Sequence, residues 1–162
     1  MPKMLQRRLA DWLHFKYLRQ PGSILDVGCA EGFALERFKE FGYDVCGIEL
    51  YSQKPFIKKW DLNKGIPFNK QFDYVLLSFS LKYARNQRKF LFDVLKHLKK
   101  GGLLIVFDVK NIVLQVASEY PFQNLVCKKW NPVPLLWRFS RVAFEIPFPT
   151  PIEKYFLIAK KL

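Results

Sequence analysis

Along the first two thirds of the chain, short apolar runs alternate with segments in which apolar residues recur every three or four positions. The runs are typical of strands buried on both faces of a parallel sheet, and the longer period is typical of the helices that cover such a sheet. The pattern predicts strands at 23–27, 44–48, 56–60, 72–79 and 103–108. It predicts helices within 4–19, between the first two strands, and around 90–98.

The last third of the chain breaks this rhythm. Most of the ten prolines lie between 120 and 151, among phenylalanine and tryptophan residues. The pattern there predicts a short helix near 112–118, an irregular segment, and two strands near 142–146 and 154–159. We expect these two strands to be antiparallel, because a parallel return needs a longer crossover than the proline-rich turn provides.

These elements together predict the fold class. Strands that alternate with helices imply right-handed crossovers and a doubly wound, Rossmann-like α/β architecture. We predict a seven-stranded, mostly parallel sheet with an antiparallel strand pair at the C-terminal end. A length of 162 residues suits one such domain.

The charge balance is strongly basic, with 27 Lys and Arg against 14 Asp and Glu and a formal net charge of +13. Such a charge attracts polyanions and anionic substrates. The basic residues are spread along the whole chain, so a nucleic-acid partner and a merely solvated surface both stay open. The aromatic cluster at 122–148 is either core filling or an acceptor pocket. The basic residues beside it, which suit RNA phosphates, are Lys128, Lys129, Arg138 and Arg141.

We infer the cellular compartment from targeting and membrane-span patterns that the sequence lacks. No apolar run is long enough for a membrane span, and the N-terminus lacks a secretory apolar region, so we expect a soluble, cytoplasmic protein. Cys29, Cys46 and Cys127 show no Cys-x-x-Cys spacing. We therefore expect small buried thiols in a reducing compartment, without a disulfide framework or a metal site.

The first predicted strand ends in an acidic residue and a loop of small residues. This segment is Asp26-Val27-Gly28-Cys29-Ala30-Glu31-Gly32, and a helix follows it. Glycines in such a loop let the backbone approach a ligand, and the next helix points its free N–H groups at it. A second strand ends at Glu49, about twenty residues on, at the distance of one strand-helix-strand unit. The two signals together predict a nucleotide-cofactor site.

These motifs resemble those of the class I S-adenosylmethionine-dependent methyltransferases, over roughly 23–162. The loop at 26–32 is similar to the family's acidic-x-Gly-x-Gly-x-Gly segment, with Ala30 where the family most often has glycine. The rest of the match is carried by Glu49, the Asp61-Leu62 pair and the segment 95–104, whose Gly-Gly pair directly precedes a predicted strand. The resemblance implies one domain at 23–162, and we expect the helix within 1–22 to cover its cofactor cleft.

The resemblance also implies roles for individual residues. The loop of Gly28, Cys29, Ala30 and Gly32 would lie against the methionine and ribose part of the cofactor, with Asp26 near its amino group. Glu49 would accept hydrogen bonds from both ribose hydroxyls. The other implied contacts are Leu50 on the adenine, Asp61 and Leu62 at the adenine edge, and Ser78 under the methionine portion. If the acceptor must lose a proton, the candidate bases are Tyr83 and Asp108.

Methyl transfer from S-adenosylmethionine is therefore the predicted function, with RNA or an anionic small molecule as the acceptor. Two alternatives stay open. One is a non-catalytic methyltransferase-like module that serves as a binding or partner subunit. The other is a nicotinamide-dependent oxidoreductase, whose Gly-x-Gly-x-x-Gly pattern calls for a glycine where Phe33 stands. We expect Asp73 to be structural, and His14 and His97 to face solvent.

Overall fold

The computed structural model describes residues 3–18, 20–51, 54–119, 122–129 and 154–162. Helices and strands follow one another in the predicted alternation up to the fifth strand. The helices are α1 (Lys3–Lys16), α2 (Phe33–Glu40), α3 (Gln87–Lys96) and α4 (Lys110–Glu119). The strands are β1 (Ser23–Val27), β2 (Asp44–Glu49), β3 (Ile57–Lys59), β4 (Phe72–Ser78), β5 (Leu98–Val109), β6 (Phe122–Lys129) and β7 (Lys154–Lys161). Two short 3₁₀ turns are added: turn A (Leu62–Lys64) and turn B (Leu81–Tyr83).

The strands form a seven-stranded sheet in the order β3-β2-β1-β4-β5-β7-β6. Neighbouring strands from β3 to β5 are parallel, and β7 is antiparallel to both β5 and β6. The fold-class prediction is therefore confirmed. After β1 the chain adds β2 and β3 on one side, and it then returns to place β4 on the other side of β1. This reversal between β1 and β4 is a topological switch point, where sheets of this kind bind ligands beyond the carboxyl ends of their strands.

The prediction of an irregular segment before the last strands was wrong. It contains β6, at Phe122–Lys129, which pairs with β7 on the side opposite β5. Among the described strands, β6 pairs with β7 alone and lies at the sheet edge, so its sequence lacks the apolar run of a central strand. The strand predicted near 142–146 lies outside the described residues, as do Arg138 and Arg141 and most of the aromatic cluster. Cys127 is exposed on β6, which corrects its predicted burial.

Apolar side chains cover the sheet on both faces. Along β1, Leu25 and Val27 join the cluster packed by α3 and α4, whereas Ile24 joins the cluster packed by α1 and α2. This alternation follows from the two-residue period of a strand. By the same period Asp26 lies on the α1–α2 side. Within the described residues, no helix has the length and apolarity needed to cross a membrane.

Helix α1 is held on α2 by ion pairs. Arg7 on α1 pairs with Glu40 on α2 at 2.7 Å, and Asp11 on α1 pairs with Arg37 on α2 at 2.5 Å. Within α2, Arg37 also pairs with Glu40 at 2.6 Å. At the start of α1, the Lys3 ammonium lies 5.0 Å from the ring centroid of Phe33, the first residue of α2. The start of α1 is therefore adjacent to the loop that follows β1. That this helix covers the cleft stays a prediction.

Both histidines are partly buried, so the prediction that they face solvent was wrong. The His14 ring stacks on Phe41 at 4.0 Å between centroids, and its Nδ1 lies 2.9 Å from the Tyr43 hydroxyl. His97 ends α3, with its Nδ1 2.8 Å from the Asp93 carbonyl oxygen and its Nε2 3.0 Å from that of Phe68. These contacts join neighbouring elements, and they lie away from the carboxyl ends of β1 and β4.

Asp73 joins the starts of three strands, which confirms its predicted structural role. Its Oδ2 accepts from the Ser23 backbone N–H at 2.8 Å and from the Ser23 hydroxyl at 2.7 Å, and Lys99 donates to Oδ1 at 2.9 Å. Partial burial opposes ionisation of Asp73. The hydrogen bonds from Ser23 and the Lys99 ammonium nevertheless outweigh it and lower the pKa of Asp73 below its usual value.

We expect Asp73→Asn to lower the free energy of unfolding by about 1–2 kcal/mol at pH 7, because it weakens the charge-assisted hydrogen bonds from Ser23 and Lys99 at a half-exposed site. The lowered pKa means that this stabilisation is present at neutral pH and is lost as the pH falls through the folded pKa. Urea unfolding at pH 7 and pH 3 measures both effects. Asp44→Asn, which removes an exposed pair with Lys70, is the matched control and should cost less than about 0.5 kcal/mol. Equal losses in the two variants would contradict the assigned role of Asp73.

Candidate functional site

The loop between β1 and α2 lies at the switch point and is folded back on itself. Gly28, Ala30 and Gly32 all have positive φ angles, of 75°, 49° and 69°. The Gly28 N–H donates to the Ile48 carbonyl oxygen at 2.9 Å, which ties the loop to β2. A Cβ on Gly28 would lie 2.7 Å from the Ser80 Cβ. Gly28 is therefore needed both for its backbone conformation and for the close approach of the loop after β4.

Glu49 closes the other side of this loop. Its Oε2 accepts from the Ala30 backbone N–H at 2.9 Å, and its Oε1 accepts from the Leu50 backbone N–H at 2.7 Å. An ionised carboxylate has about four acceptor positions, so two hydrogen bonds leave capacity for further donors. The same carboxylate can thus set the shape of the loop and accept hydrogen bonds from a bound diol.

Asp26 lies at the bottom of the site, with 3% of its surface exposed. Its Oδ1 has no hydrogen-bond partner among the described residues. Burial raises the pKa of Asp26 to about 8, and the negative charge of Glu49 contributes in the same direction. A buried carboxyl group of this kind is costly unless a cation or a donor reaches it. Asp26 is therefore suited to a ligand that carries positive charge.

The last residue of β4 and the segment after this strand bring two hydroxyl groups to the same edge of the sheet. The Oγ atoms of Ser78 and Ser80 are buried, and neither has a hydrogen-bond partner within the described part of the chain. Phe79, between them, has a φ of 57°, a left-handed conformation that is uncommon for a bulky residue. Nothing in the amino-acid pattern indicated Ser80 or the strained Phe79. The prediction of Ser78 rested on its position at the end of the strand.

Asp61 and Leu62 are brought to this edge by β3. The Trp60 N–H donates to the Glu49 carbonyl oxygen at 3.0 Å, and Asp61 follows directly. Asp61 caps turn A by accepting from the Asn63 backbone N–H at 2.9 Å. Hydrogen bonds from the backbone and side chain of Asn63 lower the pKa of Asp61. Leu50, 43% exposed, directly follows the neighbouring strand β2.

Asn63 was not predicted, although it joins turn A to turn B. Its Nδ2 donates to the Asp61 carboxylate at 2.9 Å and to the Tyr83 carbonyl oxygen at 3.3 Å. Its Oδ1 accepts from the Arg85 backbone N–H at 2.8 Å. An asparagine in a polar loop carries no signal of such a link, because the link exists only once β3 and β4 are placed in the sheet.

The two candidate bases occupy different positions. Tyr83 is 64% exposed on turn B, next to the loop of Asp61. Asp108 is 1% exposed, one residue before the end of β5. The structure thus brings together Asp26, Glu49 and the 28–32 loop, and it links Asp61 to Tyr83 through Asn63. Asp108 lies on a separate strand end.

Comparison with known proteins identifies the class. The site lies at the switch point of a Rossmann-like sheet, and a family model described as a methyltransferase domain matches residues 1–147. The chain belongs to this methyltransferase family. It is similar to the demethylmenaquinone methyltransferase of Tropheryma whipplei (strain Twist), with 33% identity over an alignment of 109 residues that covers 60% of this chain and 46% of that protein. The chain thus spans about half the length of the curated relatives it matches.

Solved structures with the same fold include two methyltransferases and one cyclase. The N-methyltransferase NodS from Bradyrhizobium japonicum WM9, in complex with S-adenosylhomocysteine, has a TM-score of 0.68 and 12% identity, covering 98% of this chain and 86% of its own. The 1,6-didemethyltoxoflavin-N1-methyltransferase of Burkholderia thailandensis, also with S-adenosylhomocysteine, has a TM-score of 0.69 and 13% identity, with coverages of 96% and 78%. The [4+2]-cyclase SpnF reaches 0.67 at 16% identity, with coverages of 96% and 80%. At such identities the likeness shows the fold alone.

The residues at the site fit the cofactor that this family implies. Asp26 offers a buried carboxylate oxygen to a cation, and Glu49 offers free acceptor positions to a ribose diol. The hydroxyls of Ser78 and Ser80 offer donors and acceptors at the same strand ends. Each of these groups is the kind that S-adenosylmethionine requires, which carries a sulfonium, an ammonium, a carboxylate and a ribose.

We expect the left-handed backbone at Ala30 to make this position sensitive to side-chain size. Ala30→Gly should raise the free energy of unfolding by up to about 1 kcal/mol, because glycine adopts a positive φ without strain. Ala30→Val should lower it by more than about 1 kcal/mol, since a β-branched residue resists that conformation. Thermal unfolding of both variants measures the difference. Similar melting temperatures would show that the loop does not hold this conformation in solution.

Proposed function

We propose that the chain transfers a methyl group from S-adenosylmethionine to RNA or to an anionic small molecule, in the cytoplasm. The observation that carries the donor half of this proposal is the grouping of Asp26, Glu49 and the 28–32 loop at the switch point. A buried carboxyl whose pKa is raised to about 8, beside a carboxylate with spare acceptor positions, suits a ligand that is both a cation and a diol.

The proposed roles follow from what each group can do. Glu49 binds the ribose hydroxyls while it holds the loop through the Ala30 N–H. Asp26, once ionised, balances the positive charge of the donor. Leu50 and Leu62 provide apolar contact for the adenine, and Asp61 accepts from its edge. Ser78 and Ser80 bind the amino-acid portion at the ends of β1 and β4.

When bound, S-adenosylmethionine supplies a methyl group that its sulfonium has already activated. The main task of the chain is then to orient the acceptor and to exclude water. Where the acceptor atom carries a proton, Tyr83 or Asp108 accepts it. Tyr83 is exposed on turn B, where a large acceptor can reach it, and Asp108 is buried at the end of β5. The predicted covering of the cleft by α1 would serve water exclusion.

A labelled-methyl assay tests this function. The purified chain is incubated with methyl-labelled S-adenosylmethionine and a cell extract, with and without ribonuclease. We expect label to appear in RNA or in small molecules and to be absent with Glu49→Gln. Demethylmenaquinone is added separately, because the curated relatives carry the name of its methyltransferase.

The non-catalytic alternative predicts a different pattern in the same assay. A binding module would take up S-adenosylhomocysteine in calorimetry and yet transfer no label to extract or quinone. Label transfer that persists in Glu49→Gln would contradict the proposed site. A chain that binds NAD instead of either sulfur compound would support the oxidoreductase alternative.

A further inference from the structure

A band of cations runs from turn B along the outer face of α3. We call the exposed residues Lys82, Arg85, Lys89 and Lys96 the α3 cationic band. Lys89 and Lys96 are seven residues apart in α3, which places them on one face of the helix. Lys82 lies on turn B, and Arg85 lies in the short segment between turn B and α3. Rings are exposed within the band, with Tyr83 64% and Phe92 49% accessible.

Acidic side chains on turn B and α3 do little to offset the positive charge of the band. Asp93 is the acidic residue within 81–96. Its Oδ2 accepts from the Ile66 backbone N–H at 2.7 Å, so this carboxylate is directed toward the loop before β4. The buried face of α3, with Phe90, Leu91 and Val94, is packed in the core. Turn B and the outer face of α3 therefore present cations and two rings to solvent.

The band begins at the cofactor site. Asn63 bonds to the Tyr83 carbonyl oxygen and to the Arg85 N–H, and it also bonds to the Asp61 carboxylate. The start of the band is thus held against the loop proposed to contact the adenine. The ten residues of α3 give the helical part of the band a length of about 15 Å. That length suits a short single-strand footprint, which begins at about four nucleotides.

We propose that the α3 cationic band, together with Tyr83 and Phe92, binds single-stranded RNA as the acceptor class, an inference that rests on the proposed function. Cations contact the phosphates, and exposed rings stack on bases. A membrane surface fits less well, because the apolar face of α3 lies in the core and cannot turn toward a bilayer. The continuity of the band with the Asp61 loop would bring a bound strand to the site of methyl transfer.

The test compares two triple charge reversals with equal change in net charge. The band variant is Lys82→Glu/Arg85→Glu/Lys89→Glu. The control variant, at exposed positions on α2, β5 and β7, is Lys39→Glu/Lys100→Glu/Lys160→Glu. Fluorescence anisotropy with a labelled twelve-nucleotide oligouridylate is measured from 50 to 300 mM salt. Sedimentation with phosphatidylglycerol vesicles is measured in parallel.

We expect the band variant to bind the oligonucleotide at least 30-fold more weakly and the control less than threefold more weakly. The slope of log K against the logarithm of the salt concentration should also be smaller in magnitude by about 2 in the band variant. Equal losses in both triples would show a mere net-charge effect and would overturn the proposal, as would tighter binding to vesicles than to RNA. Calorimetry with S-adenosylhomocysteine distinguishes a failure of the proposed function from a failure of the RNA-binding proposal. If the unmodified chain binds no S-adenosylhomocysteine while the band contrast holds, the proposed function fails and the RNA surface stands.

Discussion

The Glu49→Gln variant should bind S-adenosylhomocysteine at least 100-fold more weakly than the unmodified chain. Glutamine keeps the length of the side chain but replaces one acceptor oxygen by an NH₂ donor. That donor would face either the Ala30 or Leu50 N–H, or a ribose hydroxyl that needs an acceptor. Loss of one or two charge-assisted hydrogen bonds costs about 3 kcal/mol, which corresponds to about 100-fold in affinity.

Calorimetric titration measures this effect, and Glu31→Gln is the matched control. Glu31 lies in the same loop, is exposed, and follows the residue whose N–H binds Glu49. We expect its affinity to stay within about twofold of the unmodified chain. Far-UV circular dichroism checks that Glu49→Gln is folded. A change of less than about fivefold in a folded Glu49→Gln variant would show that Glu49 does not bind the ribose.

We expect the second large effect at Asp26. Ionisation of its carboxyl group should destabilise the folded chain and strengthen the binding of a cationic donor. The folded pKa of about 8 lies far above the usual carboxyl value near 4. The protonated group therefore contributes stability that is fully present below about pH 4 and is lost as the pH rises toward 8. Asp26→Asn has no charge to bury. Its stability advantage should grow by about 1 kcal/mol per pH unit between pH 5 and pH 8.

Binding of a cationic donor requires the ionised carboxylate. The affinity of the unmodified chain for S-adenosylmethionine should therefore rise by up to about tenfold per pH unit below pH 8, whereas Asp26→Asn should bind weakly at every pH. Urea unfolding and calorimetry from pH 5 to pH 9 measure the two effects. Asp73→Asn is the control. The difference in stability between Asp73→Asn and the unmodified chain should vanish in acid, whereas the difference for Asp26→Asn should grow as the pH rises. Parallel stability curves for Asp26→Asn and the unmodified chain would show that Asp26 is not buried as described.

Much of the fold could be predicted because the central strands have a strong local signal. Strands β1, β2 and β4 are buried on both faces, so their apolar runs are visible in the sequence. The acids Asp26 and Glu49 stand at the ends of such runs. Once the strands are parallel, their carboxyl ends must meet at one edge, and the two acids must lie close together.

The features that were missed depend on tertiary placement. Strand β6 lies at the sheet edge and mixes polar and apolar residues, so it has no run to detect. Asn63 links turns A and B across about twenty residues of sequence separation. His14 is covered by Phe41 and Tyr43 from other elements. In each case the neighbour that defines the role is distant in the chain, and local periodicity carries no information about it.

The fold alone does not decide the reaction. SpnF is a [4+2]-cyclase, yet its TM-score of 0.67 is close to the values of 0.68 and 0.69 for the two methyltransferases. The proposal for this chain therefore depends on its own site, in which Asp26 is buried with an unpaired Oδ1 among the described residues and Glu49 holds the Ala30 N–H.

The most direct test of the central claim is a calorimetric titration of the unmodified chain with S-adenosylmethionine, S-adenosylhomocysteine and NAD. We predict binding of the two sulfur compounds with a Kd of about 1 μM or tighter, and no binding of NAD at 1 mM. Absence of binding by both sulfur compounds, or binding of NAD with similar affinity, would contradict the assignment of this pocket to a methyl donor.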